Sequence, residues 1–301
     1  MQTPRTAASP RRHRIVIILN PLAGSRRQGR LRAVVARLRQ QGGQVRIETT
    51  TAAGDATRFA QLTDPDDCDV VVAAGGDGTI NEVANGLVGS RLPLAVIPLG
   101  TANVLAAEIG LAADAASLAR TILDGPAVQV HPGIANGRRF LLMAGVGFDA
   151  EVVAAVTARL KRWLGKSAYV MQSLSMLLRY DYPLFRITID GRDYEACSAI
   201  VAKGRFYAGR HICAPDGCLA KPNFEVCMFK RSGPLAVLSY GTALLFGRLP
   251  YHRHVLLVSG RKIQVEGPAA ARVQGDGDAF GTLPLSIGLA PETLSLVTPA
   301  Q

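Results

Sequence analysis

The chain has 301 residues, 48% hydrophobic and 19% charged, with a formal net charge of +11. That balance supplies a large core and excludes a disordered chain, and the length leads to an expectation of two domains. No run reaches the ~18–20 apolar residues of a membrane-spanning helix, and five cysteines without a Cys-x-x-Cys pair argue against a zinc site and for reduced thiols in a cytosol.

The first 47 residues hold eleven arginines and no acid. Such a face attracts phosphate: a nucleotide, an anionic membrane surface or a nucleic acid. Nucleic acid is set aside. Aromatics make up only 6%, none lies among these arginines, and no RRM, KH or helix-turn-helix pattern is present. A plain solvated surface stays open for some of these arginines.

Residues 1–13 are polar and read as frayed. Residues 14–19 read as a strand that runs straight into Asn20-Pro21, so they are not the apolar core of a signal peptide. Asn20-Pro21-Leu22-Ala23-Gly24-Ser25 is a turn, with Arg26 and Arg27 after it. A helix is predicted over 28–41, with Leu31, Val34, Val35 and Leu38 at helical spacing, and Gly42-Gly43 ends it. A strand over 45–49 and a short helix over 54–62 follow.

Residues 69–74 form an apolar, β-branched run, as in a strand covered on both faces. Gly75-Gly76-Asp77-Gly78-Thr79 comes next. The glycines are free to adopt φ > 0 and to let a phosphate approach the backbone. Thr79 is expected as an N-cap, with Glu82 completing a capping box for a helix over 79–88. A helix N-terminus with its N–H groups and dipole favours a phosphate, and an acid among the glycines has a use in magnesium binding. The alternative is a plain glycine turn. A strand over 94–97, the loop Pro98-Leu99-Gly100-Thr101-Ala102-Asn103 and another helix complete the series. Alternating strands and helices imply a parallel sheet, with the loops 20–25, 75–79 and 98–103 together at its C-terminal edge.

The rhythm changes near 125–130. Two helical stretches are predicted, to about residue 164 and over 167–179. Antiparallel strands follow at 187–189, 195–201, 224–229, 255–258 and 262–265, with one helix near 235–246. The run 293–297 is expected to pack back on the first domain. The expected fold is therefore α/β: an N-terminal parallel-sheet nucleotide-binding domain over 1–127, with 289–301 packing back on it, and a β-rich, β-sandwich-like domain over 128–288. The active site is expected in the cleft between them. Three patterns are discounted. Gly145-Val146-Gly147-Phe148-Asp149-Ala150 lacks the acid that a dinucleotide site needs about 20 residues on. Gly165-Lys166-Ser167 lacks the first P-loop glycine, and His252 and His254 lack a third ligand.

Five motifs in order resemble the diacylglycerol kinase catalytic-domain family of soluble bacterial lipid kinases, sphingosine kinases and ceramide kinases. They are Asn20-Pro21-Leu22-Ala23-Gly24; Gly75 to Thr79 with Asn81-Glu82; Pro98 to Asn103; Gly145 to Ala150; and Gln274-Gly275-Asp276-Gly277-Asp278, with Asp278 where the family carries a glutamate. The resemblance implies an ATP-dependent lipid kinase that uses Mg2+. Asp276 would accept the proton of the lipid hydroxyl, and Asp77 would orient magnesium or the transferring phosphate. Asn20, Gly24, Gly75, Gly76, Gly78, Thr79, Thr101 and Asn103 would bind the nucleotide, and Asp278 its magnesium. The family often has a structural magnesium held by an aspartate six residues after a proline. Here Lys221-Pro222 stands there, and the expectation is that the Lys221 ammonium occupies the metal's place.

A lipid substrate implies a cytoplasmic protein in peripheral contact with the anionic inner face of the membrane. The basic segment 159–166 with Trp163 offers one means of contact, and an ordinary core helix is its alternative. The pattern is compatible with a homodimer and does not demand one. A kinase of a soluble substrate such as NAD, or a silent nucleotide- or lipid-binding member, stays open beside the lipid kinase. The lipid itself is not legible: diacylglycerol, phosphatidylglycerol and a sphingoid base all offer a hydroxyl.

Overall fold

The structure is a computed structural model that describes residues 11–23, 28–155, 172–173 and 175–300. Gly24, Arg26, Arg27, Gly165-Lys166-Ser167 and the basic segment around Trp163 lie outside the described residues, as does most of the two helical stretches expected after Asp149. The chain divides into two compact units, Met1–Val130 with Thr293–Gln301, and His131–Glu292.

The first unit is built on one six-stranded sheet. Its elements are β1 (Arg14–Leu19), α1 (Gln28–Gln40), β2 (Gln44–Thr49), α2 (Asp55–Leu62), β3 (Val70–Gly75), α3 (Asp77–Leu87), β4 (Leu94–Pro98), α4 (Val104–Glu108), α5 (Ala115–Asp124) and β5 (Ala127–Val130). The last strand of the chain, β20 (Leu294–Val297), inserts between β4 and β5, giving the order β2-β1-β3-β4-β20-β5. β1, β2, β3, β4 and β20 run parallel, and β5 is antiparallel to β20. All of β3 is buried, which is why its sequence lacks polar alternation. On α1, Leu31, Val34, Val35 and Leu38 form the buried stripe.

Two local expectations are corrected. α3 begins at Asp77, with Gly76 in extended conformation at its N-cap and no side-chain cap, so Thr79 lies inside the first turn and no capping box forms. The Glu82 carboxylate instead accepts the Gly54 N–H at 3.1 Å. Nor do Gly75, Gly76 and Gly78 adopt positive φ. Glycine is required at 75 by space: a Cβ there would sit 2.5 Å from the Thr79 side chain.

The second unit contains β6 (Gly133–Ala135), β7 (Arg138–Phe140), β8 (Met143–Val146), α6 (Phe148–Ala155), β9 (Phe185–Ile189), β10 (Arg192–Ala196), β11 (Ser198–Ala202), β12 (Phe206–Tyr207), β13 (His211–Ile212) and β14 (Phe224–Phe229). It continues through α7 (Pro234–Leu245), β15 (Val255–Gly260), β16 (Ile263–Glu266), β17 (Arg272–Gly275), β18 (Asp278–Thr282) and β19 (Leu285–Leu289). Two six-stranded sheets form, β10-β9-β16-β19-β6-β7 and β15-β14-β11-β8-β17-β18. One buried cluster draws Phe185, Ile187 and Ile263 from the first and Val201, Phe224 and Val273 from the second, as in a β-sandwich. The single strand expected over 195–201 is two. The chain breaks at Cys197 and passes from one sheet to the other, β10 pairing with β9 and β11 with β8 and β14.

Candidate active site

In the first unit the strand order reverses at β1, which has β2 on one side and β3 on the other. Open α/β sheets bind ligands outside the strand C-terminal ends at such a switch point. The loops after β1 and β3 flank it, and the loop after β4 is next in line.

The three loops are bonded to one another. Asn20 donates from its backbone N–H to the Ala74 carbonyl at 3.0 Å and from Nδ2 to the Thr79 hydroxyl at 3.1 Å. Its Oδ1 accepts the Leu22 N–H at 3.0 Å, which folds the turn after β1. The Gly75 carbonyl accepts the N–H groups of Leu99 and Gly100, at 2.8 and 3.2 Å. Gly76 and Gly100 pack backbone to backbone: a Cβ on Gly100 would lie 2.5 Å from the Gly76 Cα. Asp77 Oδ1 accepts the Val104 N–H at 2.7 Å at the start of α4. Asn103 sits in the left-handed region (φ 49°, ψ 52°) and its Nδ2 donates to the Gly100 carbonyl at 2.7 Å. Arg30 on α1 donates to the Pro98 carbonyl at 2.9 Å. A hollow of about 280 Å³ lies beside the first loop, lined by Asn20, Pro21, Ala23, Gln28, Arg32 and Leu99. Asn20, Gly75, Gly76, Gly78, Thr79, Asp77, Thr101 and Asn103 thus gather at one edge of one sheet, with Thr101 exposed.

Asp276 lies in the second unit. Asp276-Gly277 is the two-residue turn joining β17 to β18, with φ of 51° and 82°, as the mirror-image hairpin turns require. The turn fixes the position of the Asp276 carboxylate. Its Oδ2 accepts the Leu141 N–H at 2.7 Å, and its Oδ1 accepts those of Leu142 and Met143, both at 2.9 Å. A second layer lies behind. Gln274 accepts the Gly277 N–H at 3.0 Å and donates to Asp149 Oδ2 at 2.9 Å, and the Tyr207 hydroxyl donates to Asp149 Oδ1. Burial pushes the Asp149 carboxyl up, against the hydrogen bonds of Tyr207 and Gln274. Sequence reading missed Gln274 and Tyr207 as partners of this turn. The pairing of β17 with β8 sets Gln274 opposite Gly145, and Tyr207 reaches Asp149 from β12.

Among the described residues, no three His, Cys, Asp or Glu side chains gather to hold a metal. A nucleotide's magnesium does not require such a cage, since one or two carboxylates and the phosphates suffice. Asp278 is an exposed carboxylate that fits this role. The separate structural metal does not fit. Lys221 is exposed, which overturns the expectation that its ammonium is the buried cation. That cation is Lys203, which is fully buried. Its Nζ donates to the backbone carbonyls of Lys221 at 2.5 Å and Asn223 at 3.0 Å and lies 5.5 Å from the centre of the Phe224 ring. Burial pulls its pKa down to about 8.

Residues 14–134 match the family model for the diacylglycerol kinase catalytic domain, and residues 143–298 that for the YegS C-terminal NAD kinase beta sandwich-like domain. The chain is similar to the diacylglycerol kinase of Bacillus subtilis, 31% identical over 89% of this chain and 90% of that one. It is similar also to that of Staphylococcus carnosus, at 27% over 96% of each. Its fold resembles the crystal structure of a diacylglycerol kinase from Bacillus anthracis, with a TM-score of 0.79 and 27% identity over 96% of this chain and 98% of that one.

Proposed function

This chain belongs to the diacylglycerol kinase family, and we propose that it transfers the γ-phosphate of ATP to a hydroxyl of a membrane lipid, with diacylglycerol the first candidate. The observation that carries this reading is the clasp of the loops after β1, β3 and β4 at the switch point of the sheet.

Phosphoryl transfer asks a protein mainly for positioning and charge neutralisation. The backbone of Gly75, Gly76 and Gly78 and the start of α3 receive the phosphates, since N–H groups and dipole favour anions there. Asn20 and Thr79 hold the first two loops in register, Asn103 braces the third through the Gly100 carbonyl, and the exposed Thr101 lines the nucleotide. Asp77 sets the position of α4 and brings a negative charge beside the phosphates, where it orients their counter-ion. Asp276 accepts the proton of the lipid hydroxyl, which requires hydrogen-bond reach to that oxygen. Magnesium, when bound with the nucleotide, neutralises phosphate charge, and Asp278 would hold it.

No helix among the described residues is long and apolar enough to cross a membrane. From its lipid substrate class and its net charge of +11 we assign the enzyme to the cytoplasm, reaching lipid by peripheral contact with an anionic membrane surface.

The test is thin-layer analysis of products from labelled ATP with diacylglycerol, phosphatidylglycerol, a sphingoid base and NAD. Label in a lipid supports the reading. Label in NAD alone identifies a soluble-substrate kinase, and no label in any product identifies a silent binding member.

A further inference from the structure

Helix α7 carries no charged residue between Pro234 and Leu245. A helix apolar all round is normally buried all round. This one buries only Ala236 and Tyr240, while Leu235 is 82% exposed, Leu238 47%, Leu245 68% and the following Phe246 76%. Leu235, Leu238, Thr242 and Leu245 are spaced i, i+3, i+7 and i+10, so they form one stripe along the helix. The Thr242 hydroxyl donates back to the Leu238 carbonyl at 2.8 Å, so its polar atom serves the helix itself. Tyr251 adds a further apolar surface, 85% exposed, just beyond the helix.

The opposite face is held firmly. The Tyr240 hydroxyl accepts the Arg231 N–H at 3.0 Å, and its ring packs edge-on against Phe229 and His252, with centroids 4.9 and 5.0 Å away. Ser239 bonds His252 at 3.0 Å. The leucine stripe therefore cannot turn inward without breaking these contacts.

The charge around the helix selects what covers the stripe. Residues 226–265 contain no acid and six cations, Lys230, Arg231, Arg248, Arg253, Arg261 and Lys262. Lys230 and Arg231 stand before the helix, and Arg248 and Arg253 after it; all four are exposed. A second copy laid on the stripe across a two-fold axis would set these cations against their own images, and like charges repel. An anionic bilayer has the complementary design: apolar side chains enter the acyl boundary and cations meet headgroup phosphates.

We propose that α7 and its basic ends form a docking surface for an anionic lipid bilayer, with Leu235, Leu238, Leu245 and Phe246 entering it. The inference deepens the lipid-kinase reading by naming the face that meets the membrane, and its test needs no catalysis. Co-sedimentation with vesicles of phosphatidylcholine and phosphatidylglycerol, without ATP or diacylglycerol, is measured for wild type and for L235Q/L245Q/F246Q. A second variant is R231Q/R248Q/R253Q.

The expected result is a tenfold or greater loss of binding in the apolar variant. The basic variant should lose binding to anionic vesicles and bind phosphatidylcholine as wild type does. Melting points should stay within a few degrees, because every substituted side chain is exposed. Activity on short-chain lipid dispersed in detergent should be unchanged in both. Wild-type vesicle binding by the apolar variant would overturn the proposal. So would a wild-type dimer in sedimentation velocity that the apolar variant loses while still binding vesicles, because the stripe would then be an interface between copies. Loss of vesicle binding in an enzyme that phosphorylates no lipid would refute the kinase reading and leave the docking surface standing.

Discussion

Asp77 and Val104 are joined by a 2.7 Å hydrogen bond from the Val104 N–H to the Asp77 carboxylate. The one acid among the glycines after β3 thus also holds the first N–H of α4. A charge role and a capping role share one side chain, and two substitutions separate them. Asp77→Asn keeps an oxygen for the Val104 N–H and removes the charge, so melting should move by no more than a few degrees while kcat falls at least a hundredfold. Asp77→Ala removes both, and should in addition cost about 1 kcal/mol, the usual worth of a lost cap. Circular dichroism melting beside the lipid phosphorylation assay reads the two effects. Near-wild-type activity in Asp77→Asn would reduce Asp77 to a capping residue.

Gly76 and Gly100 bring the backbones of the second and third loops into contact. Gly100→Ala would place a methyl carbon 2.5 Å from the Gly76 Cα, against backbone that has no rotamer to move. Forced overpacking of this kind costs roughly 1–3 kcal/mol. If the clasp is what shapes the nucleotide site, the KM for ATP should rise by more than tenfold, measured at saturating dispersed lipid. An unchanged KM with a lower melting point would confine the contact to stability.

The α/β half was legible because its signals are local. A strand covered on both faces must be apolar throughout, and β3 is; α1 must show an apolar stripe, and Leu31, Val34, Val35 and Leu38 supply it. The start of α3 was misplaced because Thr79 looked like a cap, while its hydroxyl is engaged by Asn20, 59 residues earlier. Likewise the run at 195–201 has strand composition throughout, and only tertiary pairing reveals that it serves two sheets. The place of Asp276 in a tight turn was legible, since Asp-Gly is a favoured dipeptide of the turn it occupies. Its three N–H partners were not, because they lie about 135 residues away on the approach to β8.

Gln274 links the Asp276 turn to Asp149. Gln274→Met keeps the volume but removes the acceptor for the Gly277 N–H and the donor to Asp149. Leaving such groups unpaired costs about 1–3 kcal/mol. With the turn loosened, kcat should drop roughly tenfold or more while the KM for ATP stays put, because the nucleotide loops belong to the other unit. The Asp149 carboxyl, raised by burial, holds its proton to higher pH folded than unfolded. The folded state then binds more protons in that interval, and stability falls as pH rises through it. Asp149→Asn should flatten that part of the melting-against-pH curve, and an unchanged curve would assign it to other carboxyls.

Lys203, and not Lys221, places its ammonium on backbone carbonyls in this region. The fully buried Lys203 ammonium donates to the carbonyls of Lys221 and Asn223, whereas the Lys221 side chain is exposed. A fixed cation on these carbonyls needs no binding step, so melting in EDTA should match melting without it. Lys221→Ala should change melting little. Lys203→Met strands two carbonyls, at roughly 1–3 kcal/mol. The pH dependence identifies the group. Its pKa is about 8 folded, against an ordinary 10.5. Between those values the unfolded chain holds a proton that the folded protein lacks, so wild-type stability gains with rising pH. The gain is on the order of 3 kcal/mol across the window. Cys68 and Cys197 are shifted up by burial, and Cys213 by its hydrogen bond with Cys227 and by burial, and all three act in the opposite direction there. The Lys203 contribution is therefore read as the difference between wild type and Lys203→Met. That difference should widen from pH 8 to 10.5 and stay flat below pH 7. A constant difference would show that Lys203 keeps its ordinary pKa in the folded protein, and a wild-type melting point that drops by many degrees in EDTA would show that a metal ion and not this ammonium holds the carbonyls of Lys221 and Asn223.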